Sequence, residues 1–420
     1  MNIKQKELSV RQNMIWNMAG SVVGMACQWL ISIIVVRLAT DLSSAGLYSL
    51  AMSVFAIFSP IANFGMYTYI VTDMEERNTS GEYITISLFT SLAAVLITTL
   101  YAAFTCRPNA LPIVFSYALY KGIVIVIDII HAIDQKAHRM DYIGISLGIQ
   151  GVLTLISFTA VFGCTQDLTT AILSMAFVTL TICFAYDLPR ASTLSHINLG
   201  ISPSKAMGIL AGCVLIVIAN TATGAFASMP RQFLSTIMGD AALGIYASVA
   251  TPVAIVQVCS TYIYNPLIGY FAESFHAKDR RSFTRLALFT LFGIMAMGLL
   301  SYLGALLAGK SLLTMLYGAE VASHSDLLGL LLLSSVLLGV SSFLCNLLVA
   351  VRALQIMTFG SIAALGLAIL TSPYLITSFG MNGATTALLL ASSASITISC
   401  IGIFTKARNR FSLAGNDQTS

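Results

Sequence analysis

Charge is what this chain has least of. Lys, Arg, Asp and Glu together make up 9% of its 420 residues, whereas a soluble globular chain is about a quarter charged. A water-facing surface cannot be built from so little, so no segment reads as a soluble domain. Catalytic signatures are missing as well. There is no His-Glu-x-x-His, no Gly-x-x-x-x-Gly-Lys and no pair of carboxylates in a large outer loop, which argues against metalloenzymes and ATP-driven pumps. The eight cysteines stand singly, without Cys-x-x-Cys or a histidine at metal spacing, and read as small core hydrophobes. Of these, Cys106 and Cys164 both fall near predicted outer helix ends, and a bridge between them is the minor expectation against two free thiols. No catalytic residue, metal or cofactor is expected, and the net charge of +4 is too small to suggest a nucleic-acid partner.

What the chain has instead is long apolar runs. Hydrophobic residues make up 57% of it, with a mean hydropathy of +0.88. Crossing a bilayer takes about 20 apolar residues in a helix that satisfies its own backbone. Twelve runs qualify: 14–36, 42–71, 83–104, 110–133, 142–163, 168–186, 206–229, 241–272, 286–308, 327–351, 353–378 and 381–404. The fold class is therefore all-α, a polytopic membrane protein of about 12 transmembrane helices with the lipid bilayer as a partner. The weakest boundary lies at Arg352, where little else separates two runs. The first run follows Lys4, Lys6 and Arg11 and is too long for a signal-peptide core of about 7–15 residues, so it is expected to stay as a span.

Orientation follows from lysine and arginine in short loops. With the amino terminus inside, sixteen basic residues, Arg77 among them, fall in inner segments. Four fall outside (Arg37, Arg107, Arg231 and Lys310), and Lys121 lies within a span. A multi-pass protein with both termini cytoplasmic is expected.

The longest polar interval before the tail, Asp187 to Lys205, separates six spans from six. Two six-helix bundles, 1–195 and 196–420, are the expected domains. An internal echo supports duplication: GLYSLAMSVFAI from Gly46 and GIYASVATPVAI from Gly244 each open the second span of their half. Small-residue spacings such as Gly20-x-x-x-Gly24 and Gly144-x-x-x-Gly148 would let helices approach closely, though such pairs are common in membrane helices.

Charge inside a span is the sharpest functional clue, because each such group costs several kcal/mol unless it meets a partner or a wet cavity. Lys121 sits near the middle of the fourth span, and Asp128 follows on nearly the same face, about 10 Å along the axis. The bland reading of Lys121 is a structural brace, and that of Asp128 is a pair with His131 one turn on. Arg37 and Arg231 occupy the outer ends of the first and seventh spans, where each can snorkel, and Arg37 can pair with Asp41. Arg231 follows Pro230, and the apolar run resumes at Phe233 and Leu234, so the seventh helix is expected to extend or kink there and face a cavity. The five histidines read as lying in or beside loops.

The segments Asn13-x-x-Trp16-Asn17-x-x-Gly20, Arg37-Leu-x-x-Asp-x-x-x-x-Gly46-Leu-Tyr and Pro230-Arg-Gln-Phe-Leu-x-x-x-Met-Gly239-Asp-x-x-Leu-Gly244-Ile-Tyr resemble the Wzx-type polysaccharide and O-antigen flippases. These belong to the MOP superfamily, with the MATE drug exporters and the lipid II flippases. The resemblance implies a MATE-like pair of bundles around a cationic cavity, working by alternating access in the bacterial plasma (inner) membrane. It implies as substrate a lipid-linked oligosaccharide, a polyprenyl pyrophosphate carrying an O-antigen, capsule or exopolysaccharide repeat unit. Lys121, Arg231 and Arg37 would bind the pyrophosphate and Asp128 would serve as charge partner. A coupling ion, proton or sodium, is left open because intramembrane charges are few. The runner-up is a cation-coupled multidrug exporter of the same superfamily, and a membrane glycan polymerase or ligase comes third.

Overall fold

A computed structural model describes residues 8–72 and 78–416. Lys4, Lys6 and Arg77 lie outside the described residues. Among those described, twelve helical spans are long and apolar enough to cross a membrane. The first six are Arg11–Leu38, Ser43–Val71, Ser80–Thr105, Pro108–Lys136, Met140–Thr165 and Leu168–Leu194. The other six are Pro203–Met238, Asp240–His276, Arg280–Tyr317, Leu327–Ala350, Leu354–Phe379 and Met381–Arg408.

Most spans outrun their apolar limits, the ninth most of all, because hydropathy marks the hydrocarbon layer while helices continue into the polar region. The boundary at Arg352 is real. One helix stops at Ala350 and the next starts at Leu354, with Arg352 left-handed (φ 55) between them. Cys106 and Cys164 are free thiols.

The second and eighth spans are each interrupted. The second breaks at Phe64 (φ 41) and Gly65 (φ 74) before a short helix, Met66–Thr72. The eighth tightens into a 3-10 turn at Asn265–Leu267, where Pro266 lacks the amide proton a helix needs. At the entry to the sixth span, Asp167 accepts hydrogen bonds from the Thr169 and Thr170 amides at 3.1 and 3.0 Å. The Thr170 hydroxyl, foremost, and these amides hold its carboxyl below the usual range. That cap is therefore intact at neutral pH and fades only as pH falls through the lowered value.

By contacts the chain divides into two compact units, 1–217 and 218–420. The division falls inside the seventh span rather than at residue 195. The reason is packing: Ala206, Ile209, Leu210, Cys213 and Val217 of that span join a core with Met66, Ile70, Ile127 and Ile130. In the first unit the fourth span packs on the second, third and sixth, and the first span packs along the fifth. In the second unit the tenth span packs on the eighth, ninth and twelfth, and the eleventh packs on the twelfth. The exposed stripe Leu88, Leu92, Leu96, Leu100 and Phe104 along the third span is satisfied only by lipid.

The polar interval before the seventh span is docked rather than loose. The Gly200 amide donates to the Thr85 hydroxyl at 2.9 Å, the Ser80 and Ser195 hydroxyls are 2.9 Å apart, and Lys205 Nζ reaches both Glu82 oxygens at 2.7 Å. Gly81 makes this docking possible, because any Cβ there would overlap the Asn198 carbonyl. Gly81→Val is expected to cost about 1–3 kcal/mol through overpacking and to lift the strap. Limited proteolysis should then cut between 195 and 202 in the variant and spare the parent.

Candidate functional site

The candidate site in the first unit is assembled by the first, second and fourth spans. The first places Gln28, the second Tyr48, and the fourth Tyr117, Tyr120 and Lys121. Lys121 Nζ donates to Gln28 Oε1 at 3.2 Å, and the same amide donates through Nε2 to the Tyr120 hydroxyl at 2.8 Å. The ammonium lies 5.1 Å from the Tyr120 ring centroid and 5.9 Å from that of Tyr117, within the range at which a ring face attracts a cation. Tyr48 meets Tyr117 edge-on at 5.7 Å and fixes that ring. The lysine is thus held by neutral groups. Among the described residues no carboxylate lies within 4.0 Å of its nitrogen, and an ammonium so placed retains capacity for an anion.

Asp128 shares the face of Lys121 and feels its charge without touching it. Its oxygen lies 4.0 Å from His131 Nδ1, and its side chain is 42% exposed. His131, read as lying in or beside a loop, is buried within the fourth helix, 2% exposed. Sequence reasoning also missed Asp134 and Asp187, each 1% exposed. Both fell just outside the apolar limits, and the span continues past them because each turns inward. The signal for Asp134 was the spacing Asp128, His131, Asp134, which keeps returning to neighbouring faces of one helix, whereas Asp187 stands on another helix and had none.

The other two predicted cations lie elsewhere. Arg37 is exposed at the end of the first span, nine residues beyond Gln28 and so about 13 Å farther along the axis. Arg231 belongs to the second unit. The seventh helix does run on past Pro230 to Met238, and Arg231 is half-buried with Nε making no hydrogen bond. It sits close enough to the buried Tyr246 for that side chain to feel the guanidinium charge. In a cysteine-free background, Arg231→Cys is expected to react with a water-borne thiol reagent. Labelling only by lipid-soluble reagents would remove Arg231 from any aqueous site.

A cavity of about 760 Å³ lies between the third, fourth and sixth spans. It is lined by Leu92, Val95, Leu119, Ile123, Val126 and Phe184 among others, with no charged side chain. These fourth-span positions point away from Lys121, so the cavity supplies none of the charge that an anionic group needs.

No protein-family model matches the chain. Among solved structures, a multidrug resistance MATE family transporter of the MOP superfamily in an inward-facing conformation matches with a TM-score of 0.65. It covers 95% of this chain and 99% of its own at 12% identity. The fold is that of the MOP superfamily. A second MOP transporter, from Pyrococcus furiosus, matches with a TM-score of 0.64 over 95% of this chain and 94% of its own, at 15% identity. The Vibrio cholerae MATE transporter VcmN in its bent form gives 0.62 over 95% and 96%, at 13% identity. A capsular polysaccharide biosynthesis protein, CapF of Staphylococcus aureus, is 23% identical over 342 residues, which is 78% of this chain and 84% of that one. With this fold and twelve apolar helices among the described residues, the chain is a multi-pass membrane protein.

Proposed function

We propose that this chain is a flippase that moves a polyprenyl-pyrophosphate-linked oligosaccharide from the inner to the outer leaflet of the bacterial plasma membrane by alternating access. The observation that carries this reading is Lys121, an ammonium in mid-span whose neighbours are an amide and two tyrosine rings. A pyrophosphate crossing a low-dielectric layer needs such a group, whereas a cationic drug would be repelled by it. The likeness to a capsular polysaccharide biosynthesis protein points the same way. Tyr120 and Gln28 position the ammonium, and Arg37 and Arg231 are proposed to draw the head group toward the outer side. Both termini face the cytoplasm in this reading. The two halves descend from one duplicated bundle, whose second span is interrupted in both copies.

The test is reconstitution of the full chain into vesicles loaded with a fluorescent polyprenyl-pyrophosphate disaccharide. Wild-type vesicles should make the inner-leaflet label accessible to an external quencher within minutes, while protein-free vesicles keep it protected. Export of a cationic dye with no movement of the glycan would instead favour a drug exporter.

A further inference from the structure

The inner end of the fourth span carries machinery that binding a pyrophosphate does not use. His131 is enclosed, and its two ring nitrogens face two different acids. Nε2 lies 3.3 Å from Asp187 Oδ1, and Nδ1 lies 4.0 Å from Asp128 Oδ1. The two acids differ in access: the Asp128 side chain is 42% exposed and that of Asp187 is 1% exposed. Asp187 closes a π-helical turn, Cys183–Asp187, a local distortion often found at functional sites. Its second oxygen, Oδ2, accepts no hydrogen bond, nor does Oδ1 of the equally buried Asp134, which feels the charges of His131 and Asp187.

The neighbouring cations are engaged elsewhere. Arg139 donates to both Asp141 oxygens at 2.9 and 2.8 Å, and Arg190 lies over the Tyr142 and Tyr186 rings at 4.9 and 5.4 Å. From the second span, the Tyr67 hydroxyl donates a hydrogen bond to Gln135 Oε1. On the sixth, the Tyr186 hydroxyl is buried without a hydrogen bond and Cys183 is a buried free thiol. Two buried carboxylates with open oxygens are costly as a pair of anions, and a bound proton removes much of that cost. Among the described residues no three His, Cys, Asp or Glu side chains converge as metal ligands, so a proton suits the cluster better than a metal ion.

We propose that His131 relays a proton between the half-exposed Asp128 and the buried pair Asp187 and Asp134, forming the ion site that drives transport. Protonated Asp128 gives its proton to Nδ1 while the Nε2 proton passes to Asp187 Oδ1. The imidazole ends neutral in its other tautomer, and one proton has moved from the accessible acid to the enclosed one. The 4.0 Å gap is too long for direct transfer, so a side-chain rotation or one water must close it. Opening of that gap in one transport state would hold the proton in place.

The driving role rests on the flippase reading, but the proton site does not, and two measurements separate them. In the first, infrared difference spectra of the full chain in lipid nanodiscs are recorded across pH. A protonated-carboxyl C=O band should be present and should shrink in both Asp187→Asn and Asp134→Asn. Absence of that band in the wild type would overturn the site. In the second, flipping of the fluorescent disaccharide lipid is timed with and without an imposed proton gradient. The gradient should speed the wild type several-fold and leave His131→Asn unchanged at matched protein levels. Wild-type flipping that ignores the gradient would overturn the driving role. A persistent band in a chain that flips no glycan lipid would retain the proton site and remove the flippase reading.

Discussion

Lys121→Gln should slow flipping of a polyprenyl-pyrophosphate glycan in reconstituted vesicles by about ten- to a hundredfold. A hydrogen bond to a charged group is worth about 1.5–3 kcal/mol, and each 1.4 kcal/mol is about a factor of ten. Glutamine keeps much of the length of the side chain and can still meet Gln28, so the fold should persist while the charge is lost. Lys121→Arg should restore part of the rate. The charge returns, but a planar guanidinium does not sit as a compact ammonium does between the Tyr117 and Tyr120 rings. If Lys121 only braced the helices, the pattern would reverse: Lys121→Gln would lower the thermal midpoint of the purified chain yet flip normally per folded molecule. Measuring both quantities on each variant therefore distinguishes an anion site from a strut.

A large stability effect is expected where the first and fifth spans touch. A Cβ on Gly144 would overlap the Trp16 carbonyl, and one on Gly20 would overlap the Gly144 backbone, whereas a Cβ on Gly148 would meet nothing within 4 Å. Two glycines of one apparent motif should thus respond with opposite sign. Gly144→Ala should destabilise by about 1–3 kcal/mol, because two backbones must separate and the contacts around them loosen. Gly148→Ala should be neutral or stabilising by up to about 1 kcal/mol, since alanine loses less chain entropy in a helix. Thermal unfolding of both variants in the same detergent decides it, and equal losses would show that the close approach at Gly144 is not what holds these helices together.

The motif Gly144-x-x-x-Gly148 illustrates how far a sequence reading reaches in a membrane protein. Spacing alone marks both positions as places where helices could approach, but only the rotation of the fifth span about its axis decides that Gly144 faces the first span and Gly148 does not. The candidate site divides in the same way. The depth of Lys121 and its shared face with Asp128 follow from position along one helix, which fixes both to within a turn. The two tyrosines beside it are neighbours on its own helix, but that its hydrogen-bond partner is Gln28 follows from contact between the first and fourth spans, some ninety residues apart in the chain. His131 and Asp187 meet across 56 residues, and neither carries a local mark of the other.

What the sequence determined by itself was the number of spans, their approximate limits and the place of Lys121 near the middle of one of them. Transfer into a bilayer is close to a sum over single residues, so a running total along the chain recovers it without knowledge of contacts. Only the tertiary structure decided where the first unit ends, that the polar strap is docked against Gly81, and that the carboxyl-terminal end of the fourth span encloses a histidine between two acids. Those outcomes depend on which face each helix turns to its neighbours, and an apolar helix surrounded by lipid and by other apolar helices carries little local preference for one rotation over another. The choice is made by shape, by close approach at particular glycines and by a few polar pairings, all of which exist only once the helices are together.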